Sequence, residues 1–266
     1  LRIENRAEKK EGRQLMHDFA AEVLAVRGTC LFFVGQAGFI IKSAGGQLLA
    51  IDLYLTNCLE RFEGHSGFKR ILPRILHPSE IEFDAVICTH PHLDHFDIDA
   101  VPEMVSCGAR LFCSVDCERL VHRLIMDYYN DRITYVRPGD RHIIGDFDVS
   151  FVNCDHGSGA PDAVGAVVRV DGKTIYEVGD SRLRLDRVNE APQSPDVLIS
   201  PINGMFGNMD SDDTAALAEA LRPSVTIPCH YGMTASHGGD LKRFHDLMDE
   251  KGLPALIMRQ GERYRL

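Results

Sequence analysis

Residues Thr89 to Asp97 read T-H-P-H-L-D-H-F-D. Three imidazoles and a carboxylate, those of His90, His92, Asp94 and His95, fall within six positions. Pro91 separates the first two histidines, and its ring is incompatible with a helix interior, so the group belongs on a turn. The apolar run Ala85-Val86-Ile87-Cys88 comes directly before it and predicts a short strand that delivers the turn. Neutral imidazole and carboxylate together suit zinc, iron or manganese. A solvated loop accounts for one stray histidine, but poorly for three that alternate and close on Asp-His.

Three later segments repeat this placement of a polar ligand type just beyond an apolar β run. Asp155-His156 follows the strand pattern Val149 to Asn153, Gly179-Asp180 follows Thr174 to Val178, and Cys229-His230 follows Val225 to Pro228. Gly179 lets the chain turn tightly beside the Asp180 carboxylate. Any one of these would more often be a cap or a satisfied histidine. Their shared position at strand C-termini, where loops of one sheet edge converge, favours a common site.

The elements needed to position them follow from periodicity. Leu15, Phe19, Val23 and Val26 share one helical face, which predicts an amphipathic helix from Ala7 to Val26 docked on the domain or on a second copy. Short β runs at Cys30 to Val34, Gly38 to Ser43 and Gln47 to Asp52 are separated by glycine turns. Residues 52 to 84 look irregular and carry Arg61, His65, Lys69, Arg70 and Arg74, either a candidate anion-binding lip or a solvated loop or subunit contact. Helices are expected at Ile98 to Ser106, Asp116 to Tyr129, Asp212 to Leu221 and Asp240 to Lys251, and a last strand at Ala255 to Met258. Asp171-Gly172 marks a hairpin between two strands. Two β-rich halves, each followed by helices, imply two packed sheets with helices outside. The division expected is a helical extension over 1–28 and one domain over 29–266.

Length and composition set the outer bounds. The 266 residues, 44% hydrophobic and 26% charged, are those of a globular domain. A net charge of −10 speaks against a nucleic-acid surface, and no apolar stretch is long enough to span a bilayer. The charged start L-R-I-E-N-R-A-E-K-K has no signal-peptide core. Eight cysteines without C-x-x-C pairs suit a reducing cytoplasm. Cys88, Cys154 and Cys229 lie within two residues of candidate ligands, but are expected to be buried, inert thiols.

The set of Asp52, H-x-H-x-D-H at His90 to His95, His156, Asp180 and His230 resembles the metallo-β-lactamase superfamily. That resemblance covers nearly the whole chain from Phe32 and implies an αββα four-layer sandwich. The segments Phe33-Val34-Gly35-Gln36-Ala37-Gly38-Phe39, Ile175 to Ser181 and Val225 to His230 look most like the branch of ascorbate-6-phosphate lactonases. Carried over, the pattern puts His90, His92 and His156 on one divalent ion and Asp94, His95 and His230 on a second. Asp180 would bridge them and Asp52 would orient the ligand loop; Asp97 either does likewise or caps the next helix. Zinc or manganese fits, with iron also compatible.

The implied chemistry is hydrolysis of a small anionic ester or lactone, such as a sugar-phosphate lactone, by a metal-bridging hydroxide. Asp94 and Asp180 act in catalysis, with Asn203, Tyr231 and His237 as candidate substrate contacts. A phosphodiesterase or nuclease on the same centre is the alternative. A di-iron redox protein fits less well, because redox members of the superfamily carry Glu where this chain has His92. The N-terminal helix leaves room for a homo-oligomer.

Overall fold

The alternation of apolar residues in the early strands builds two sheets and the layers between them. The computed structural model describes residues 6–266. Helix α1 (Arg6–Ala25) leads into β1 (Cys30–Gly35), β2 (Gly38–Lys42) and β3 (Leu48–Ile51), an antiparallel meander. After α2 (Cys58–Glu63) come β4 (Ala85–Cys88), α3 (Ala100–Ser106), β5 (Arg110–Ser114), α4 (Glu118–Arg123) and β6 (Ile133–Val136). Strands β3 to β6 run parallel.

The second sheet takes β7 (Arg141–Ile144), β8 (Phe147–Asn153), β9 (Val164–Val170), β10 (Lys173–Glu177), β11 (Val197–Pro201) and β12 (Val225–Cys229). Helix α5 (Ser211–Leu221) precedes β12, and α6 (Leu241–Glu250) follows it. Strand β13 (Arg263–Arg265) returns to pair with β1. The orders are β13-β1-β2-β3-β4-β5-β6 and β12-β11-β10-β9-β8-β7.

Strand β1 shows how the layers are sorted. Leu31 and Phe33 point into the core between the sheets, with Phe147, Val149, Val168 and Ile175. Cys30, Phe32 and Val34 point to the opposite face, where they meet Phe19 and Val23 of α1 and Val101 and Val105 of α3. The strand's period of two therefore serves both layers, and all six of its residues are buried. Helices α5 and α6 cover the second sheet, with Ala218, Leu221 and Phe244 in its core. The arrangement is helix, sheet, sheet, helix.

Helix α1 is part of this core through its C-terminal turns. The buried Lys42 ammonium donates to the Val23 and Leu24 carbonyls at 2.8 and 2.6 Å, which satisfies the end of the helix. The expected helix spans this element, and the first five residues of the extension lie outside the described ones.

Three expectations are corrected. The helix expected over Asp116 to Tyr129 breaks at Ile125, whose φ of 57° turns the chain so that Met126 enters the core. Ala255 to Met258 forms a single bridge at Ala255 with Thr226; the terminal strand is Arg263–Arg265 instead. Its charged, period-poor sequence hides it, although charges suit an edge strand. Residues 52 to 84 contain the short α2, which buries Cys58 and Leu59.

Candidate metal centre

Four loops deliver the site, one from the first sheet and three from the second, each leaving the C-terminal end of a strand. Strand β4 ends at Cys88, and Thr89 begins the turn to His90. The backbone N–H groups of His95 and Phe96 both donate to the His92 carbonyl, at 2.9 and 2.7 Å, which curls His90 to His95 into a compact turn. Phe96 is fully buried and pins this turn to the core. Asp97 accepts from the Leu55 and Thr56 amides and from Ala100 N at 3.1 Å, so it starts α3 and also ties the loop after β3 to the histidine turn.

The other loops are equally constrained. His156 follows β8 and enters a 3-10 turn, Gly157–Gly159. Asp180 follows β10 through Gly179, whose φ is 69°. A Cβ at Gly179 would lie 2.9 Å from the Val164 carbonyl oxygen, so only glycine allows this approach. His230 follows β12 with φ 60°, held by its N–H to the Gln36 carbonyl at 2.9 Å.

The structure brings all seven candidate ligands together in overlapping groups. His90, His92 and His156 present ring nitrogens to one another, with His92 Nδ1 at 2.9 Å from His90 Nε2 and 3.0 Å from His156 Nε2. Asp94, His95 and His230 form a second group, in which the two Nε2 atoms are 3.1 Å apart. Asp180 lies between the groups: its carboxylate is 2.8 Å from His230 Nε2, 3.4 Å from His95 Nε2 and 4.0 Å from His90 Nε2.

Buried partners behind the ligands fix ring orientation. Asp52 Oδ2 lies 2.7 Å from His95 Nδ1 and accepts from the Thr89 hydroxyl at 2.6 Å, while Asp52 Oδ1 accepts from Thr89 N at 2.8 Å. The Thr89 hydroxyl in turn lies 3.0 Å from His90 Nδ1. One chain, His90–Thr89–Asp52–His95, thus holds both Nδ1 atoms and turns both Nε2 atoms into the site. Gln36 Nε2 donates to Asp94 at 2.8 Å and lies 3.0 Å from His230 Nδ1. Asn208 Nδ2 donates to Asp180 at 2.9 Å.

The donor set fits a divalent cation electrostatically as well as by type. Burial holds His90 well below the usual imidazole range, aided by His95; it lowers His92 too and takes His156 down to about 4. These rings are neutral, with lone pairs free for a cation. Burial opposes charge on His95, but Asp180, Asp52 and Asp94 outweigh it and raise that group well above its usual range. Burial likewise opposes charge on Asp180 and Asp94, which the surrounding histidines hold low. A concentration of negative charge that forces a buried imidazole to stay protonated is one that a metal cation would satisfy. His156 Nδ1 is buried without a partner, so no outer side chain fixes this ring.

Two groups of expectations are placed elsewhere. Asn203 and His237 line the cavity of about 370 Å³ above the ligands. Tyr231 does not: its hydroxyl donates to the Met258 carbonyl and its ring packs on Phe33, because at that register the side chain faces the core between the sheets. The basic segment forms no anion-binding lip over the cavity. Arg61 pairs with Asp99 at 2.8 Å, and Arg70 is buried against the Tyr54 and Thr56 carbonyls at 3.1 and 3.0 Å. His65, Lys69 and Arg74 are exposed outside the cavity lining.

That segment gives the cavity Leu59, Glu63 and Phe68 instead. Burial raises the Cys88, Cys154 and Cys229 thiols well above their usual range, so they are protonated packing groups. Sequence inspection did not find Gln36 or Asn208. Gln36 could have been suspected as an amide at a turn between two apolar strands, whereas Asn208 carries no local signal.

This fold and this ligand array define a class. The model of the β-lactamase superfamily domain matches residues 53–231, and the chain belongs to that superfamily. It is a metal-dependent hydrolase of the metallo-β-lactamase type.

Among its relatives, it is 29% identical over 242 residues to the UPF0173 metal-dependent hydrolase TK0141 of Thermococcus kodakarensis, covering 88% of this chain and 98% of that one. A UPF0173 metal-dependent hydrolase of Carboxydothermus hydrogenoformans is 28% identical, covering 86% and 96%. Among solved structures, Igni18, a metallo hydrolase from Ignicoccus hospitalis, superposes with a TM-score of 0.68 at 24% identity, covering 90% of this chain and 99% of that one. No helix of the described residues is long and apolar enough to cross a membrane.

Proposed function

We propose that the chain hydrolyses a small ester or lactone at a centre of two divalent metal ions, zinc or manganese. The observation that carries this is the division of the ligands into two groups, His90/His92/His156 and Asp94/His95/His230, with Asp180 between them. Metal ions held there would supply Lewis acidity and would lower the pKa of water from near 16 toward roughly 7.

The chain's own residues do the rest. The Asp52–Thr89 pair fixes the His90 and His95 rings, so the donor atoms need no rearrangement. Gln36 and Asn208 hold the Asp94 and Asp180 carboxylates from the outer side. Asp94 is positioned to accept the proton of an attacking water, since the surrounding histidines keep it ionised. Asn203, in the cavity wall, is placed to donate to the oxygen on which charge develops. The net reaction adds water to the acyl carbon and breaks its bond to the leaving oxygen, which departs with one proton.

A lactone or ester suits the lactonase-like segments, whereas a nuclease function is not favoured, because no lysine or arginine lines the cavity. Eight free cysteines suit a reducing cytoplasm. Chelation followed by reloading with zinc or manganese tests the proposal. Ester or lactone hydrolysis should vanish and return, and turnover indifferent to chelation would overturn it.

A further inference from the structure

The walls above the metal centre differ in character from its floor. Leu59, Phe68, Leu93 and Phe206 contribute apolar surface, and the only ionised groups of fixed sign in the lining are Glu63, Asp94 and Asp180. Phe68 lies parallel to His237, with ring centroids 4.3 Å apart at 8°. Phe206 leans against both, at 5.9 Å from Phe68 and 5.4 Å from His237. These rings come from three separate loops, so the cluster exists only in the folded chain.

Hydrogen bonds hold the loops that carry these rings. Ser236 N donates to the Gly67 carbonyl at 3.1 Å and Ala235 N to that of Lys69 at 2.8 Å, joining the loop of Phe68 to the loop of His237. The Ser236 hydroxyl lies 2.6 Å from His237 Nδ1 and fixes the ring. A Cβ at Gly67 would lie 1.9 Å from that hydroxyl oxygen, so glycine permits the contact. Arg70 anchors the same loop beneath, with its guanidinium 4.7 Å over the Tyr54 ring. Phe206 sits two residues before Asn208, which bonds the ligand Asp180. Despite this fixed setting Phe206 remains 59% exposed, an aromatic face presented beside the cavity.

We propose that Phe68, His237 and Phe206 form the specificity site, and that the substrate is an uncharged ester or lactone bearing an aromatic ring. The ring packs on this corner, at the 4.5–7 Å centroid spacing usual for aromatic pairs, while the acyl group reaches the metal ligands. A cavity of about 370 Å³ is of the size that holds a small bicyclic ester. Away from the metal ligands, a phosphorylated sugar would meet no lysine or arginine on these walls and one carboxylate, that of Glu63. The inference rests on the hydrolase function proposed above.

The test uses the full chain loaded with zinc or manganese. The ratio of kcat/KM for 2-naphthyl acetate to that for methyl acetate is measured in wild type and in Phe206→Ala, with 6-phosphogluconolactone as the anionic competitor. Fluorescence titration with 2-naphthol, which has the ring but no bond to hydrolyse, is run alongside. Phe206→Ala should lower the naphthyl-to-methyl ratio about tenfold, chiefly through KM, and weaken 2-naphthol binding comparably. Phe206→Trp should restore both.

A higher kcat/KM for 6-phosphogluconolactone than for 2-naphthyl acetate overturns the proposal. So does 2-naphthol binding that is absent, or unchanged in both Phe206→Ala and Phe68→Ala. If no ester is hydrolysed, the hydrolase function fails separately. The titration still decides, because saturable 2-naphthol binding weakened by Phe206→Ala supports the aromatic corner.

Discussion

His95 Nδ1 lies 2.7 Å from Asp52 Oδ2, with both side chains fully buried beneath the ligand array. Asp52 leaves β3 and His95 leaves β4, two adjacent parallel strands, so the contact locks neighbouring loops together as well as orienting a ring. Asp52 adopts φ 47°, an uncommon conformation for a non-glycine residue, held here by its N–H to the Ile87 carbonyl at 2.9 Å.

Replacing this carboxylate tests its orienting role. Asp52→Asn keeps the shape, but cannot accept from both the Thr89 hydroxyl and His95 through one charged oxygen. Metal affinity should fall about 10- to 100-fold, the usual cost of losing such a partner. Competition with a chromophoric chelator measures it, and circular dichroism checks the fold. Undiminished affinity in the folded variant would remove Asp52 from this role.

The protonation pattern gives a pH dependence for the metal-free chain. His90, His92 and His156 are lowered from 6.5, His156 to about 4, so between these values the unfolded chain binds protons that the folded one refuses. Stability therefore falls as pH drops below 6.5. His95 is raised well above 6.5, so its contribution is complete below that value and is lost as pH rises through its folded pKa. The melting temperature of the chelated protein should peak near pH 6.5 and decline on both sides. Metal loading should abolish the alkaline decline, because a metal-bound His95 no longer carries the proton. A profile that rises steadily to pH 9 without metal would contradict this assignment.

Arg70 is a structural cation. Its guanidinium donates to the Leu72, Tyr54 and Thr56 carbonyls, and only 9% of the residue is exposed. Arg70→Met leaves those oxygens unpaired and should cost on the order of 3 kcal/mol of stability. Urea unfolding would measure the loss. Full stability combined with weakened binding of an anionic substrate would return Arg70 to the anion-binding role.

What was legible in the sequence divides along physical lines. The strand runs at Ala85–Cys88 and Phe147–Asn153 were readable because they are short, apolar and bounded by polar turns. The ligands at their ends were readable because metal-preferring side chains rarely cluster without cause. Gln36 and Asn208 were not, since an amide that braces a carboxylate is recognised by its neighbour in space and not by spacing along the chain. Arg70 misled for the converse reason: a charge in an irregular segment gives no sign of whether it faces solvent or carbonyl groups. The corner of Phe68, Phe206 and His237 joins three distant loops, so no local pattern could announce it.

Asp180 stands between the two ligand groups, and on it the proposed two-metal centre depends. Metal analysis of the zinc- or manganese-loaded wild type and Asp180→Ala chains, side by side, is the most direct test. Two equivalents per wild-type chain are expected, with the loss of at least one, and of most ester turnover, in the variant. No bound metal in the wild type, or equal occupancy and turnover in the two proteins, would contradict the proposed centre.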